Sequence, residues 1–352
     1  MTKKVQKFSA FLTKYLPLLF IIDVTLSLTI GILFPTLLHA LKSTVTFALF
    51  FVLFPMMMGI AIKEVKRVGR NGRILAVSMG LNFIVAPIIA YLWAKLFFTG
   101  LDPLFIAGWI LKITVPASSM MVAWTGIAHG KIETALLIQV LSFLIAIIMI
   151  PIWMTLLVGA YVPVNFLYFT EQILIIIVVP MIVGLFVKTL IVKKRNKKYF
   201  NTEIKPFLPP LSTLGMYYVI FVAIGQQASI IITHLDLIGI LIASICVVYP
   251  GLFVLSLYIS KKAGLQYKDA IAIGFGTTAK NHGITLVLAI TTFGGLAVLP
   301  PSLVPIFQVI LMIIITKLSP KIEKYINTKK NKEKRNSSSR EIISEHITEK
   351  QK

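Results

Sequence analysis

In GTTAKNHGIT, Gly276 to Thr285, the residues best equipped for chemistry interrupt an apolar run, between YKDAIAIGF and LVLAITTFGGLAVL. Thr277, Thr278, Lys280, Asn281 and His282 supply two hydroxyls, an ammonium, an amide and an imidazole within six positions. Such a set can hold an ion or a small polar ligand by hydrogen bonds. A second set lies in LKITVPASSMMVAW, where Lys112 precedes Pro116 by four residues and Ser118 and Ser119 follow it. A proline inside a helix removes the bond from its own nitrogen to the carbonyl four residues earlier. Here that carbonyl belongs to Lys112, so a lysine, a free backbone acceptor and two hydroxyls are expected together. Neither stretch carries a nucleophile with its base, paired acids or a His-Glu-x-x-His pattern, so the chemistry indicated is binding rather than catalysis. Cys246 is the one cysteine, in LIASICVVYP, which leaves no disulfide or thiolate metal cluster within a chain. A lone buried cysteine is usually an inert small hydrophobe. No cofactor and no metal are expected.

The elements that must position these residues are membrane helices. Of 352 residues, 57% are hydrophobic and 14% charged, a balance foreign to a soluble domain of this size. Stretches of ~20 apolar residues, enough to span a bilayer, recur ten times: 16–39, 43–62, 74–99, 104–127, 134–159, 170–192, 206–227, 237–260, 267–293 and 299–318. The basic start, MTKKVQKFSAFLTKYLPLLF, resembles a signal-peptide head, but its apolar run is too long and lacks a cleavage site, so the first span is expected to be retained.

The net charge of +22 orients the chain rather than binding nucleic acid. All but four of the 35 Lys and Arg (Lys42, Lys95, Lys112 and Lys280) fall in segments on one side of a ten-span topology. That is the positive-inside pattern with both termini cytoplasmic, in the plasma membrane. KEVKRVGRNGR and VKKRNKKYF are placed to touch inner-leaflet lipid. The organisation expected is an N-tail of 1–15, a five-helix repeat over 16–159, a second over 170–318, and a basic tail of 319–352. From about Thr328 that tail is polar enough to be disordered.

Five spans per half is an odd number, so the second half enters the membrane in the opposite sense. Spans four and nine then occupy matching positions, both interrupted and both carrying a lysine. Inverted repeats with paired broken helices near the midplane are a recurrent carrier plan, and irregular backbone at that depth must be buried or line a cavity. The expected fold is therefore all-α, with helices four and nine broken near Val115–Ser119 and Gly276–Lys280 and crossing there. Lys280 otherwise pairs with a buried acid or carbonyls, and Lys112 otherwise snorkels outward. Secondary candidates are Asp23 (a proton carrier or a lysine's counter-ion), Asn82 ahead of Pro87, Gln139, and Gln226 with Gln227. Met56 to Met58 read as packing.

Several local patterns look like the arsenical-resistance (arsenite efflux) permeases of the bile-acid:sodium-symporter superfamily. They are LFFVLFPMMMGIAIKEV, LNFIVAP, VPASSMMVAWTGIAHGKIETALLIQV, FLPPLSTLGMYYVIFVAIGQQ and AKNHGITLVLAITTFGG, in an order that covers roughly Lys14 to Lys317. The resemblance implies ten helices in inverted repeats, a panel domain against a core domain, and a site at the crossing of helices four and nine. It also exposes departures. Where those permeases have a cysteine after the proline of span four, this chain has Ala117; where they have an acid three residues after the span-nine asparagine, it has Ile284. The sodium-coupled branch supplies an acid where Gly276 stands, Gln where Lys280 stands, and Ser-Asn where Met121 and Val122 stand. A hard cation wants oxygen ligands, and here a fixed cation replaces them. Lys280 is accordingly a built-in cation, an anchor for an anionic cargo, or a group that gives up its proton during transport. The expectation is a sodium-independent secondary carrier of arsenite or a related oxyanion, the alternative a carrier of a small organic anion. A membrane sensor or channel on the same fold is a further alternative.

Overall fold

The computed structural model describes residues 8, 11–12, 15–59 and 72–349, with side chains described up to residue 327. The expected basic segment 63–73 lies almost wholly outside these residues. Among the described residues the secondary structure is helical, and the one β-bridge pairs Ala117 with Lys280. The helices are α1 (Leu16–Leu33), α2 (Pro35–Gly59), α3 (Gly72–Phe97), α4 (Pro103–Thr114), α5 (Met120–Ile127), α6 (Ile132–Val158), α7 (Phe166–Arg195), α8 (Lys197–Gln226), α9 (Leu235–Lys262), α10 (Tyr267–Thr278), α11 (His282–Phe293) and α12 (Leu299–Glu349).

Six helical runs among the described residues are long and apolar enough to cross a membrane: α3, α6, α7, α8, α9 and Gly295–Asn327. A seventh follows if α1 and the first part of α2, bent by 114°, make one span. The expected first span, 16–39, is cut earlier by Pro35, which opens α2. The remaining apolar helices, including α4 and α11, are shorter because the chain breaks beside them. Cys246 is exposed on α9 rather than packed. The polar tail after Thr328, expected to be disordered, continues α12 to Glu349. Lys, Glu and Arg are good helix formers, and no Gly or Pro follows Pro320.

The helices pack in two groups. In one, α8 lies against both α1 and α2, and α7 lies against α2. In the other, α3, α4, α5, α6, α9, α10 and α12 pack on one another, and α11 joins them against α4 and α12 while also touching α2 and α7. Close approach is built in where it is needed. A Cβ on Gly108 of α4 would meet the carbonyl oxygen of Ala297, in the turn before α12. The starts of α4 and α11 are capped by side chains: the exposed Asp102 accepts from Leu104 N at 2.7 Å at the start of α4, and the buried Asn281 accepts from Ile284 N at 3.0 Å at the start of α11.

Candidate functional site

Pro116 ends α4, and Val115–Ser119 separates it from α5, where the break was expected. The second break falls later than expected. Gly276, Thr277 and Thr278 remain helical, and only Ala279–Asn281 leave the helix. Gly276 serves packing instead, since a Cβ there would press on Ile138 and Met121. The hydroxyls of Thr277 and Thr278 are spent on their own helix, bonding Ile273 O and Gly274 O at 2.9 Å each.

The two breaks satisfy each other. Ser118 N donates to Ala279 O at 2.7 Å, and Asn281 N donates to Pro116 O at 2.9 Å. Ala117 N is taken by Ser142 Oγ at 3.2 Å, and Lys280 N by Gln308 Oε1 at 3.2 Å. Unwound backbone in a bilayer is tolerable only when its polar groups are paired in this way. Lys112, buried, donates from Nζ to Lys280 O at 3.4 Å, so it belongs to the crossing and does not snorkel outward.

Lys280 is 1% exposed, and its Nζ donates to Asn82 Oδ1 at 2.8 Å and to Asn82 O at 3.5 Å. The sequence of α3 prepares this acceptor. A π-turn over Leu81–Val85 diverts Ala86 N to Leu81 O, and Pro87 has no N–H to offer. The Asn82 carbonyl therefore lacks a helical donor and is free for the ammonium. The neighbouring Phe83 carbonyl, also deprived by Pro87, accepts from Trp153 Nε1. No carboxylate pairs with either lysine among the described residues.

Beside the crossing, a cavity of ≈ 260 Å³ lies where the two helix groups meet. The first group contributes Met56, Lys205, Ser212 and Met216; the second contributes Ser118, Ser119, Gln139, Asn281 and His282. Lys112, Lys280, Thr277 and Thr278 do not line it. These lysines thus stand behind the cavity rather than in its lining. His282 is 6% exposed, and neither ring nitrogen has a hydrogen-bond partner.

Residues 46–234, more than half of the chain, match the model of the sodium bile acid symporter family. The chain belongs to that family. Like other members it is a multi-pass transporter, with a small molecule or ion as cargo. It is 22% identical over 304 residues to the arsenical-resistance protein Acr3 of Corynebacterium glutamicum, covering 81% of this chain and 82% of the relative. It is also 22% identical over 280 residues to the uncharacterized sodium-dependent transporter YocS of Bacillus subtilis, covering 79% and 84%. A second Acr3, from Alkaliphilus metalliredigens, is 21% identical over 262 residues, covering 71% and 73%.

Within this family frame the structure brings together Lys112, Pro116, Ser118, Ser119, Lys280, Asn281, His282, Asn82 and Gln139, and leaves others apart. Asp23 lies half-buried on α1 with Oδ2 unpartnered, and it is no counter-ion to Lys112 or Lys280. Gln227 follows the end of α8 outside the cavity, and Gln226 Nε2 donates to Leu38 O. Four participants went unread. Gln308, a single amide in VPIFQVILMIII, and Ser142 were detectable as lone polar groups in apolar helices. Met56, set aside as packing, accepts from Asn281 Nδ2 at 3.0 Å. Lys205 borders the cavity only through tertiary packing, which no local pattern announces.

Proposed function

We propose that this chain is a sodium-independent secondary carrier of the arsenite or antimonite type, working by alternating access at the cavity between the two helix groups. The observation that carries the reading is the Lys280 ammonium, held 2.8 Å from Asn82 Oδ1 at the crossing and out of the cavity. In its protonated form Lys280 supplies the positive charge that a bound sodium ion would bring, and its α3 acceptor ties the crossing to the rest of its group. The oxygen ligands expected of a sodium branch are replaced by Gly276, Met121 and Val122. The ten spans as two inverted five-helix repeats (16–159 and 170–318), the plasma membrane and the cytoplasmic termini belong to the same proposal. It is supported by the matching breaks and by the placement of Lys and Arg. Asp23, half-buried with Oδ2 unpartnered, is a carboxylate available for proton coupling.

The names of the Acr3 relatives favour trivalent arsenic or antimony as cargo. A small organic anion is the second reading, favoured by Lys205, which borders a cavity whose described lining residues include no carboxylate. Uptake of arsenite and of small carboxylates into inverted vesicles, each with and without sodium and a proton gradient, tests both. Saturable arsenite uptake indifferent to sodium is the expected result. Uptake of carboxylates alone transfers the assignment to the second reading, and absence of saturation with either removes the carrier.

A further inference from the structure

Several polar groups around the cavity are already bonded, and one side chain, His282, is buried with no partner at all. Asn281 uses Oδ1 to cap α11 and Nδ2 on Met56, Ser118 Oγ accepts from Met120 N at 3.2 Å, and Lys280 is tied to Asn82. His282 borders the same cavity with both ring nitrogens buried and unpaired. Burying a polar group without a partner costs free energy that the native fold must recover elsewhere or in another state.

The surroundings decide which group would pair with it. Among the described residues the cavity lining contains no carboxylate, and Lys112 and Lys280 stand just behind the crossing, so an imidazolium would lack a counter-charge there. A neutral imidazole presents one N–H donor and one acceptor nitrogen. A fully ionised acid offers acceptors only and leaves that second nitrogen unpaired. A cargo with hydroxyls answers both. Sites built to hydrogen-bond a hydroxyl reject analogues without one far more strongly than apolar pockets reject a change of size.

We propose that His282 determines specificity at the cavity by exchanging one donated and one accepted hydrogen bond with the hydroxyls of an uncharged oxyacid, here trivalent arsenic as its trihydroxide. This rests on the cargo reading above. Side-chain rotation brings the ring nitrogens to the cavity, so the cost of leaving them unpaired is relieved when cargo is bound.

The test uses the purified full chain, with sodium arsenite at neutral pH as the probe. Thermal melting and liposome flux are compared for wild type, His282→Phe and His282→Gln. The phenylalanine keeps the ring and removes both nitrogens. Its cargo-free melting temperature should match or exceed wild type, because two unpaired polar atoms are gone. Its arsenite-induced shift should vanish, and kcat/KM for flux should fall about ten- to hundredfold. His282→Gln, which retains a donor and an acceptor, should recover part of both. A packing histidine would give the reverse: lower melting temperature with the arsenite response intact. The wild type supplies a second measure that needs no variant. Trivalent arsenic with hydroxyls replaced by methyl groups should bind at least about tenfold more weakly. Equal binding of the methylated forms, or a wild-type arsenite response in His282→Phe, overturns the role of His282 alone. A wild type that neither binds nor moves arsenite overturns the cargo reading and this inference together.

Discussion

At the residue scale the crossing sets two costs against each other at Lys280. An ammonium at bilayer depth is expensive, about 2.5–3.5 kcal/mol on insertion scales. Its bond to Asn82 Oδ1, charge-assisted and 2.8 Å long, returns about 1.5–3 kcal/mol. The balance is close to even, so the lysine contributes little net stability, and its presence is better explained by transport. Lys280→Met removes the charge and the desolvation cost together, leaving the two Asn82 oxygens short of a donor. Thermal stability should therefore change little, while transport rate or apparent affinity should fall about ten- to hundredfold. Flux through liposomes holding the folded variant checks this, and wild-type kinetics would remove Lys280 from the mechanism. The sequence made Lys280, Asn281 and His282 conspicuous because polar groups in an apolar run have few benign explanations. It did not reveal where each side chain points. Lys280 turns to α3, and His282 borders the cavity with its ring nitrogens buried, a division set by packing against residues far away in the chain.

At the scale of elements, the two breaks were legible to different degrees for a physical reason. Pro116 abolishes a specific hydrogen bond, so it locates its break to the residue. Glycine and threonine only weaken a helix, and Gly276–Thr278 stay helical because α6 and α5 pack across them. The shift of three residues to Ala279–Asn281 is what aligns Ala279 O with Ser118 N. The π-turn in α3 was half visible: Pro87 announces a disturbed helix, but the lysine that uses it comes from another span. Close packing of the breaks gives a contrast between glycines. Gly108→Ala drives a methyl into the Ala297 backbone, which cannot turn aside as a side chain would, and should cost about 1–3 kcal/mol. Gly251→Ala on α9, with nothing within 4 Å of the new methyl, should be neutral or stabilise by up to about 1 kcal/mol. Melting temperatures of the two variants in one detergent decide it; equal effects would mean that α4 does not lie tightly on that turn.

For the whole molecule, hydrophobicity and charge placement announce a polytopic helical protein. The division of its helices into two groups depends on contacts that a linear pattern does not carry. Hydropathy also counts a broken helix as one span, so the ten apolar stretches of the sequence meet, among the described residues, six or seven long helices and several short ones. The division matters because the cavity lies on it, so in the proposed mechanism cargo binding and relative movement of the groups share one surface. A carrier needs a device that keeps the empty cavity from leaking whatever the driving ion would have regulated. On the proposed reading, the Lys280 ammonium at the crossing meets that need without an ion to load. Replacing sodium by choline at constant membrane potential should therefore leave the initial rate of transport unchanged. Lys280→Met, which empties the position, should not regain the lost rate when sodium is added, because Gly276, Met121 and Val122 provide no carboxylate or amide to coordinate it. Initial rates over a sodium titration, wild type beside variant, are the measurement. A steep and saturable sodium dependence in the wild type would place a cation site elsewhere in the fold and make Lys280 a purely structural cation.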